Sequence, residues 1–325
     1  MKAVVCNRFG PLEDVVYAEV ADPVPGPKQV LVKIRVSSVG FMDTLMIEGR
    51  YQLKPPLPYI PGACGAGDVV AVGADVTGVK VGDRVSFLNY YGAFAELIAT
   101  DEHTVVVLPD SMDYEQAATY RLSYSPAYLA LKYRASLRPG ETFLVTGASG
   151  GVGLAAIRLA KNMGARVIAV IGREEKRGIV ARTGADEVVN YTQCDLRDTV
   201  MELTGGRGAD VILDVVGGDV FDQCIRCVAR MGRVVVMGFT SGRIPEVKVN
   251  RLLLKNCSIH GVWLGDWMTN DVEGFRRMNV ELLELAAEGK IPALISERFA
   301  LPDVVAAMRL LLSRDTVGKI VIHNS

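Results

Sequence analysis

The segment TFLVTGASGGVGLAAIRLAKNMGARVIAVIG, from Thr142 to Gly172, constrains this chain more than any other. An apolar, β-branched run leads into a glycine-rich turn, then into helical apolar spacing, then into a second apolar run. That is one βαβ unit of roughly 30 residues. Within it, Ala148-Ser149-Gly150-Gly151-Val152-Gly153 sits directly after the first strand and opens the helix. Gly150 lets backbone approach a pyrophosphate, and Gly153 lets the helix press on the strand. The helix N-terminus adds free amides and the positive end of a dipole. In this context the motif predicts a dinucleotide site at Ser149, Gly150, Gly151, Val152 and Gly153. A glycine turn without a ligand is the plain alternative.

The same rhythm continues downstream. ADEVVNY, ADVILDVVG and GRVVVMGF supply three more short strands with helical segments between them. Such alternation predicts an α/β fold with a parallel, doubly wound sheet. Upstream, to about residue 120, the chain is β-branched and punctuated by Gly and Pro, as expected of a barrel-like β domain. EQAATYRLSYSPAYLALKYRA then takes helical spacing. VEGFRRMNVELLELAAEGK predicts a long helix, and ALPDVVAAMRLLLSRDTVGKIVIHNS a further helix and strand that return to the first domain. The expected domains are therefore 1–122 with 263–325, and 123–262 inserted between them. A length of 325 residues suits two domains.

A formal charge of −1 argues against nucleic acid or anionic membrane as a main partner. No apolar run approaches the ~20 residues of a membrane span, and the N-terminus carries no long apolar signal core, so the expected location is the cytoplasm. Six cysteines in so long a chain do not make a disulfide scaffold. Cys224 and Cys227 form a CxxC inside FDQCIRCVARMGR, which reads as a helix carrying buried cysteines rather than a metal or redox pair. With three histidines in all, an imidazole-rich zinc site is hard to assemble.

The end of the second strand distinguishes the two nicotinamide dinucleotides. An acidic residue there holds the ribose 2′-hydroxyl of NAD. Here the strand ends in Gly172 and Arg173, with Lys176 and Arg177 after it. Glu174 and Glu175 fall past the strand end, in the first turn of the next helix, where the dipole favours them. Gly172, Arg173 and Lys176 thus suit a 2′-phosphate, and predict NADPH. Ordinary solvated helix charges are the other reading.

The whole chain resembles the medium-chain dehydrogenase/reductase superfamily, in its zinc-independent quinone oxidoreductase branch. The markers are IEGRYQLKPPLPYIPG, GAGDVVAVG, TGASGGVG, GADEVVNY, GFTSGRIP, NRLLLKNCSIHGVWLG and TVGKIVI. The resemblance implies a GroES-like catalytic domain beside a Rossmann cofactor domain, and a homodimer joined sheet edge to sheet edge through the cofactor domains. It implies that Tyr128, Lys176, Tyr191, Gly238, Phe239 and Lys319 line the NADPH site. The zinc branch of the superfamily carries a ligating Cys where Gly40 stands and a His where Ala63 stands, and its cysteine-rich lobe is missing between Asp83 and Ala99.

This chain also departs from the zinc-free branch. Those relatives usually carry Asn in place of Gly40, an acidic residue in place of Cys64, and Leu-Pro-Val where Tyr120-Arg121-Leu122 stands. In that fold all three places border the nicotinamide or substrate cleft, so an altered acceptor is expected. Conjugated acceptors need no metal, because conjugation spreads the charge that arrives with hydride, whereas an unactivated alcohol or ketone usually wants a Lewis acid. Tyr51 is a candidate pocket wall or proton donor, or a ring packed on the KPPLP turn. Arg121 is a candidate to bind an acidic substrate group or stabilise an enolate, or an ion-pair partner at the domain junction. Tyr120 is ligand or core, and Cys64 a reactive thiol or a small buried apolar group. Asp43 is expected to orient the cleft rather than act as a base. Two functions stay open: an NADPH-dependent reductase of a quinone or conjugated carbonyl, or an NADPH-binding sensor, crystallin-like protein or non-redox enzyme on the same scaffold.

Overall fold

The chain divides into two units, residues 1–122 with 268–325, and residues 123–267. The structure, a computed structural model, describes residues 1–313 and 315–324. The second crossing falls at Met268 rather than at the expected residue 263, because a helix, Leu264–Asn270, carries the chain through that point. The first crossing also lies within a helix, Tyr114–Tyr128, which runs on as a π-helical turn over Leu129–Arg134.

Residues 123–267 build a six-stranded sheet in the order Glu187–Asn190, Arg166–Ile171, Thr142–Val145, Ala209–Asp214, Val228–Val236, Ser258–Gly261. Every neighbouring pair is parallel. Parallel strands are covered on both faces, which is why these read as unbroken apolar runs rather than alternating ones. Phe143, Leu144, Val145, Val167, Ile168 and Val211 are all fully buried. Leu144, Ile168, Ile212, Phe221 and Val234 form one cluster between sheet and helices. Each such side chain contributes about 1.5–3 kcal/mol by leaving water. Strand order reverses between Thr142–Val145 and Ala209–Asp214, the place where a crevice opens at the carboxyl ends of the strands.

The expectation of one helix across FDQCIRCVARMGR is corrected. The helix covers Gly218–Cys224, and Cys227 sits in the turn ahead of the strand Val228–Val236. The Ala209 amide donates to the Cys227 carbonyl at 2.9 Å, so ladder pairing overrides local helical spacing there. Both cysteines are fully buried, as expected.

Residues 1–122 with 268–325 build a mainly antiparallel sheet around the long strand Gln29–Val39. That strand pairs with Cys64–Val72, with Leu97–Asp101 and with the C-terminal strand Lys319–His323. The tail therefore does return to the N-terminal sheet, with Ile320 opposite Val39. The long helix is found at Val272–Ala287 and buries Phe275, Met278 and Leu282. The fold is α/β with a GroES-like β unit and a Rossmann-like parallel-sheet unit.

Candidate active site

The glycine turn takes the form its spacing predicts. Gly150 is the N-cap of the helix Gly151–Asn162 and lies exposed, with φ −80° and ψ 168°. A Cβ added there would meet only the Gly147 carbonyl oxygen, at 3.4 Å. Gly153 is buried, and a Cβ there would lie 2.4 Å from that same oxygen and 2.7 Å from the Ala148 Cα. One glycine thus leaves a backbone face open to a ligand, and the other lets helix and strand touch. Ser149, Gly151 and Val152 are partly buried around them. The ends of the central strands are tied by Thr146, whose hydroxyl donates to Asp214 Oδ1 at 2.6 Å and accepts from the Val215 amide at 3.0 Å. The second oxygen of Asp214 accepts from the Gly217 amide at 2.9 Å. Burial raises the Asp214 pKa while these donors oppose the rise.

At the end of the strand Arg166–Ile171, a Cβ on Gly172 would fall 2.7 Å from the Tyr191 hydroxyl, so the structure brings these two predicted residues together. Arg173 is exposed and Lys176 buried, within the short 3₁₀ turn Glu174–Lys176 and its N-cap. Glu174 is engaged elsewhere. Its Oε2 accepts from Arg177 Nη2 at 3.1 Å and from Asn190 Nδ2 at 3.0 Å, and the Arg177 hydrogen bonds lower its pKa. The acid nearest the strand end is therefore turned onto protein partners. Gly238 is open, with only the Val215 carbonyl 3.5 Å from an added Cβ, and Phe239 beside it is partly exposed. Tyr128 is buried, and its hydroxyl receives a hydrogen bond from Lys132 Nζ at 3.1 Å.

In the other unit, a second group of predicted residues comes together. Gly40 caps the helix Phe41–Ile47, and its amide donates to Asp43 Oδ2 at 2.7 Å. Lys319, partly buried, donates to the Val39 carbonyl at 3.0 Å. Cys64 begins its strand opposite Ser38 and Leu88 and is fully buried. Burial pushes the Asp43 carboxyl up to about 7, partly offset by the Gly40 amide and Lys319. Burial likewise brings Lys319 down to about 8 and the Cys64 thiol up to about 11, with Arg121, Lys319 and Asp43 all acting on that thiol. Tyr120 is fully buried with an unpartnered hydroxyl pushed to about 12 by desolvation.

Arg121 lies at the helix position after Tyr120 and is also fully buried. Its Nη1 donates to the carbonyls of Thr104 at 2.5 Å and Ser86 at 3.3 Å, and its Nε and Nη2 have no partner among the described residues. The Phe275 ring lies 5.5 Å from the guanidinium carbon. The ion pair considered from the sequence is absent among the described residues: the guanidinium meets carbonyls and a ring. Tyr51 is partly buried and packs against the apolar cluster of Met46, Ile47, Tyr59 and Phe94.

Sequence reasoning passed over Thr146, Asp214 and Lys132. An acid closing a parallel strand was a readable sign for Asp214, and the four-residue helical spacing from Tyr128 was one for Lys132. Thr146 left no sign, since its role depends on a residue 68 positions away.

The superfamily's zinc chemistry does not fit these residues. A side chain at Gly40 would put its Cβ 3.0 Å from Leu122 Cδ2, and Ala63 is a fully buried methyl. Neither can ligate, and among the described residues no three His, Cys, Asp or Glu side chains are grouped to hold a metal ion.

Two family models match, "alcohol dehydrogenase GroES-like domain" over residues 26–110 and "zinc-binding dehydrogenase" over residues 151–281. The chain is 41% identical to the quinone oxidoreductase-like protein 2 homolog of Nematostella vectensis, across 99% of this chain and 88% of that protein. It is 36% identical to a quinone oxidoreductase of Pseudomonas aeruginosa, across 99% of both. Among solved structures it is similar to Escherichia coli quinone oxidoreductase complexed with NADPH, with a TM-score of 0.93 and 30% identity over 100% of both chains. With the two-unit fold and the glycine turn at the switch of strand order, these matches show an oxidoreductase that belongs to the medium-chain dehydrogenase/reductase superfamily, in its quinone oxidoreductase branch.

Proposed function

We propose that this protein reduces a quinone or another α,β-unsaturated carbonyl with NADPH and without a metal. The observation that carries the reading is the strand end at Gly172. There the first acid, Glu174, is bound to Arg177 and Asn190, while Arg173 caps and Lys176 ends the short turn that follows the strand. This favours a phosphate over a diol as the recognised group. The E. coli relative solved with NADPH points the same way.

When bound, NADPH supplies the hydride. The chain's own part is to hold and orient. The amides around Ser149, Gly150, Gly151 and Val152 take the pyrophosphate at the helix N-terminus. Gly238, Phe239, Tyr128 and Tyr191 are assigned to the walls of that site, and Lys319 to its polar contacts. A conjugated acceptor spreads the incoming charge over its carbonyl, so the loss of zinc ligands at Gly40 and Ala63 is compatible with turnover. Tyr51 is assigned as a wall of the acceptor site. Cys64 and Tyr120, buried and held protonated, are assigned to its shape rather than to proton transfer.

We also propose a homodimer. Ser258–Gly261 is an edge strand, and Val249, Leu253 and Leu254 beside it are each 74% exposed, which is far more than a monomer needs to show water.

The test is a panel of quinones, enones and enals with NADPH consumption followed. Lys176→Ala should raise the Michaelis constant for NADPH far more than that for NADH. Equal effects on both would remove the 2′-phosphate assignment, and no oxidation of NADPH by any acceptor would remove the function.

A further inference from the structure

We infer that the free edge of Arg121 is a carboxylate-recognition position, and that the acceptor is an acidic conjugated carbonyl. This rests on the reductase reading above and adds the class of substrate.

Arg121 carries an unbalanced charge. Arg121 is fully buried, and a guanidinium has five N–H donors. Nη1 is anchored by two carbonyls, which fixes the plane of the group. Among the described residues Nε and Nη2 meet no acceptor. The titratable groups that act on Arg121 are Tyr120 and Cys64, and burial keeps both protonated, and so uncharged, near neutrality. The Phe275 ring screens the charge without using an N–H. A buried cation with no counter-charge and unmet donors is costly, and the cost is relieved by an anion that reaches the donors.

The geometry of the free edge selects which anion. Nε–H and Nη2–H are parallel and lie on one side of the planar group, the pair that grips both oxygens of a carboxylate. A spherical ion would use this fork poorly. Among the described residues no carboxylate of this chain meets the fork, so a carboxylate brought by the substrate would complete the pair. The edge is closed to solvent in the free protein, so capture needs a local opening. The observed association rate should therefore level off as ligand concentration rises.

The test uses (E)-4-oxopent-2-enoate and its methyl ester as acceptors, and saturated 4-oxopentanoate as a ligand of the cofactor-free protein. Wild type should favour the acid over the ester at least about tenfold in kcat/KM, and Arg121→Met should bring that ratio to about one. Cys64→Glu should raise the melting temperature and also abolish the preference, because its carboxylate takes the fork. 4-Oxopentanoate should raise the melting temperature of wild type and of neither variant. Equal turnover of acid and ester by wild type, a preference surviving in Arg121→Met, or a thermal shift matched by chloride would each overturn the inference. Reduction of the ester with no preference for the acid sinks the carboxylate position alone. If neither compound oxidises NADPH, it is the reductase reading that fails, and the thermal shift still decides the carboxylate position.

Discussion

Alanine at Gly150 and alanine at Gly153 should damage this protein in opposite ways. The two sites are three residues apart in one helix start, and the same methyl group is added at each. At Gly153 the new Cβ would sit 2.4 Å from the Gly147 carbonyl oxygen and 2.7 and 2.9 Å from the Ala148 backbone. All three neighbours are backbone, so no side chain can swing aside. An ordinary C···O contact is roughly 3.2 Å or more, so helix and strand must separate by about 0.8 Å, and overpacking of this kind costs about 1–3 kcal/mol. For a unit the size of residues 123–267 each kcal/mol lowers the melting temperature by roughly 2–4 °C, giving a fall of roughly 2–12 °C. At Gly150 the backbone is already in a region open to alanine, and the only neighbour is 3.4 Å away. A weaker N-cap and a stiffer unfolded chain offset each other there, leaving stability within about 0.5 kcal/mol. The methyl group instead stands on the exposed face proposed for the pyrophosphate, and should weaken NADPH binding by about tenfold or more. Differential scanning calorimetry of the cofactor-free variants and calorimetric titration with NADPH separate the two effects. If Gly150→Ala melts as early as Gly153→Ala, or binds NADPH as tightly as wild type, the division of labour between the glycines is wrong.

Further outcomes follow from the buried groups and the exposed edge. Asp43 has a folded pKa of about 7, raised from 3.8 by burial, so the native state keeps a proton that the unfolded chain releases. Its contribution therefore declines as pH rises from about 4 to about 7 and is level above that. Asp43→Asn should flatten this fall, read from urea unfolding at pH 5 and pH 8, and an unchanged slope would show that Asp43 is not its source. Of the six cysteines only Cys194 is exposed, so a thiol-specific disulfide reagent should modify one thiol quickly in the native protein and six in guanidinium. Rapid modification of a second thiol would mean that the burial of Cys64 or the Cys224–Cys227 pair is not maintained. Leu253→Glu should convert the proposed dimer to monomer in light scattering after size exclusion without lowering the melting temperature of the cofactor-free chain by more than a few degrees, and a dimer that persists would place the interface elsewhere.

Much of this protein was legible before folding, because the relevant physics is local. A strand, a glycine turn and a helix within 31 residues announce a parallel sheet and a crevice for a phosphate, and the rhythm of later strands extends it. Gly150 and Gly153 could be assigned different tasks from spacing alone, since each needs a missing Cβ for its own reason. Other matters were settled only by contacts between distant segments. The helix across the CxxC stops at Cys224 because the carbonyl of Cys227 is claimed by the strand beginning at Ala209. Lys176 suited a 2′-phosphate and Glu174 a helix start by position alone, but only the fold shows that Lys176 is buried and that Glu174 is spent on Arg177 and Asn190. Arg121 could be read as an ion pair or a substrate ligand. Its tertiary setting, two carbonyls at one nitrogen and an empty fork at the other edge, is what turns an odd residue in an apolar helix into a specific chemical question. Periodicity and turn chemistry travel with the chain, whereas the partner of a buried charge is decided by whatever folding places across from it.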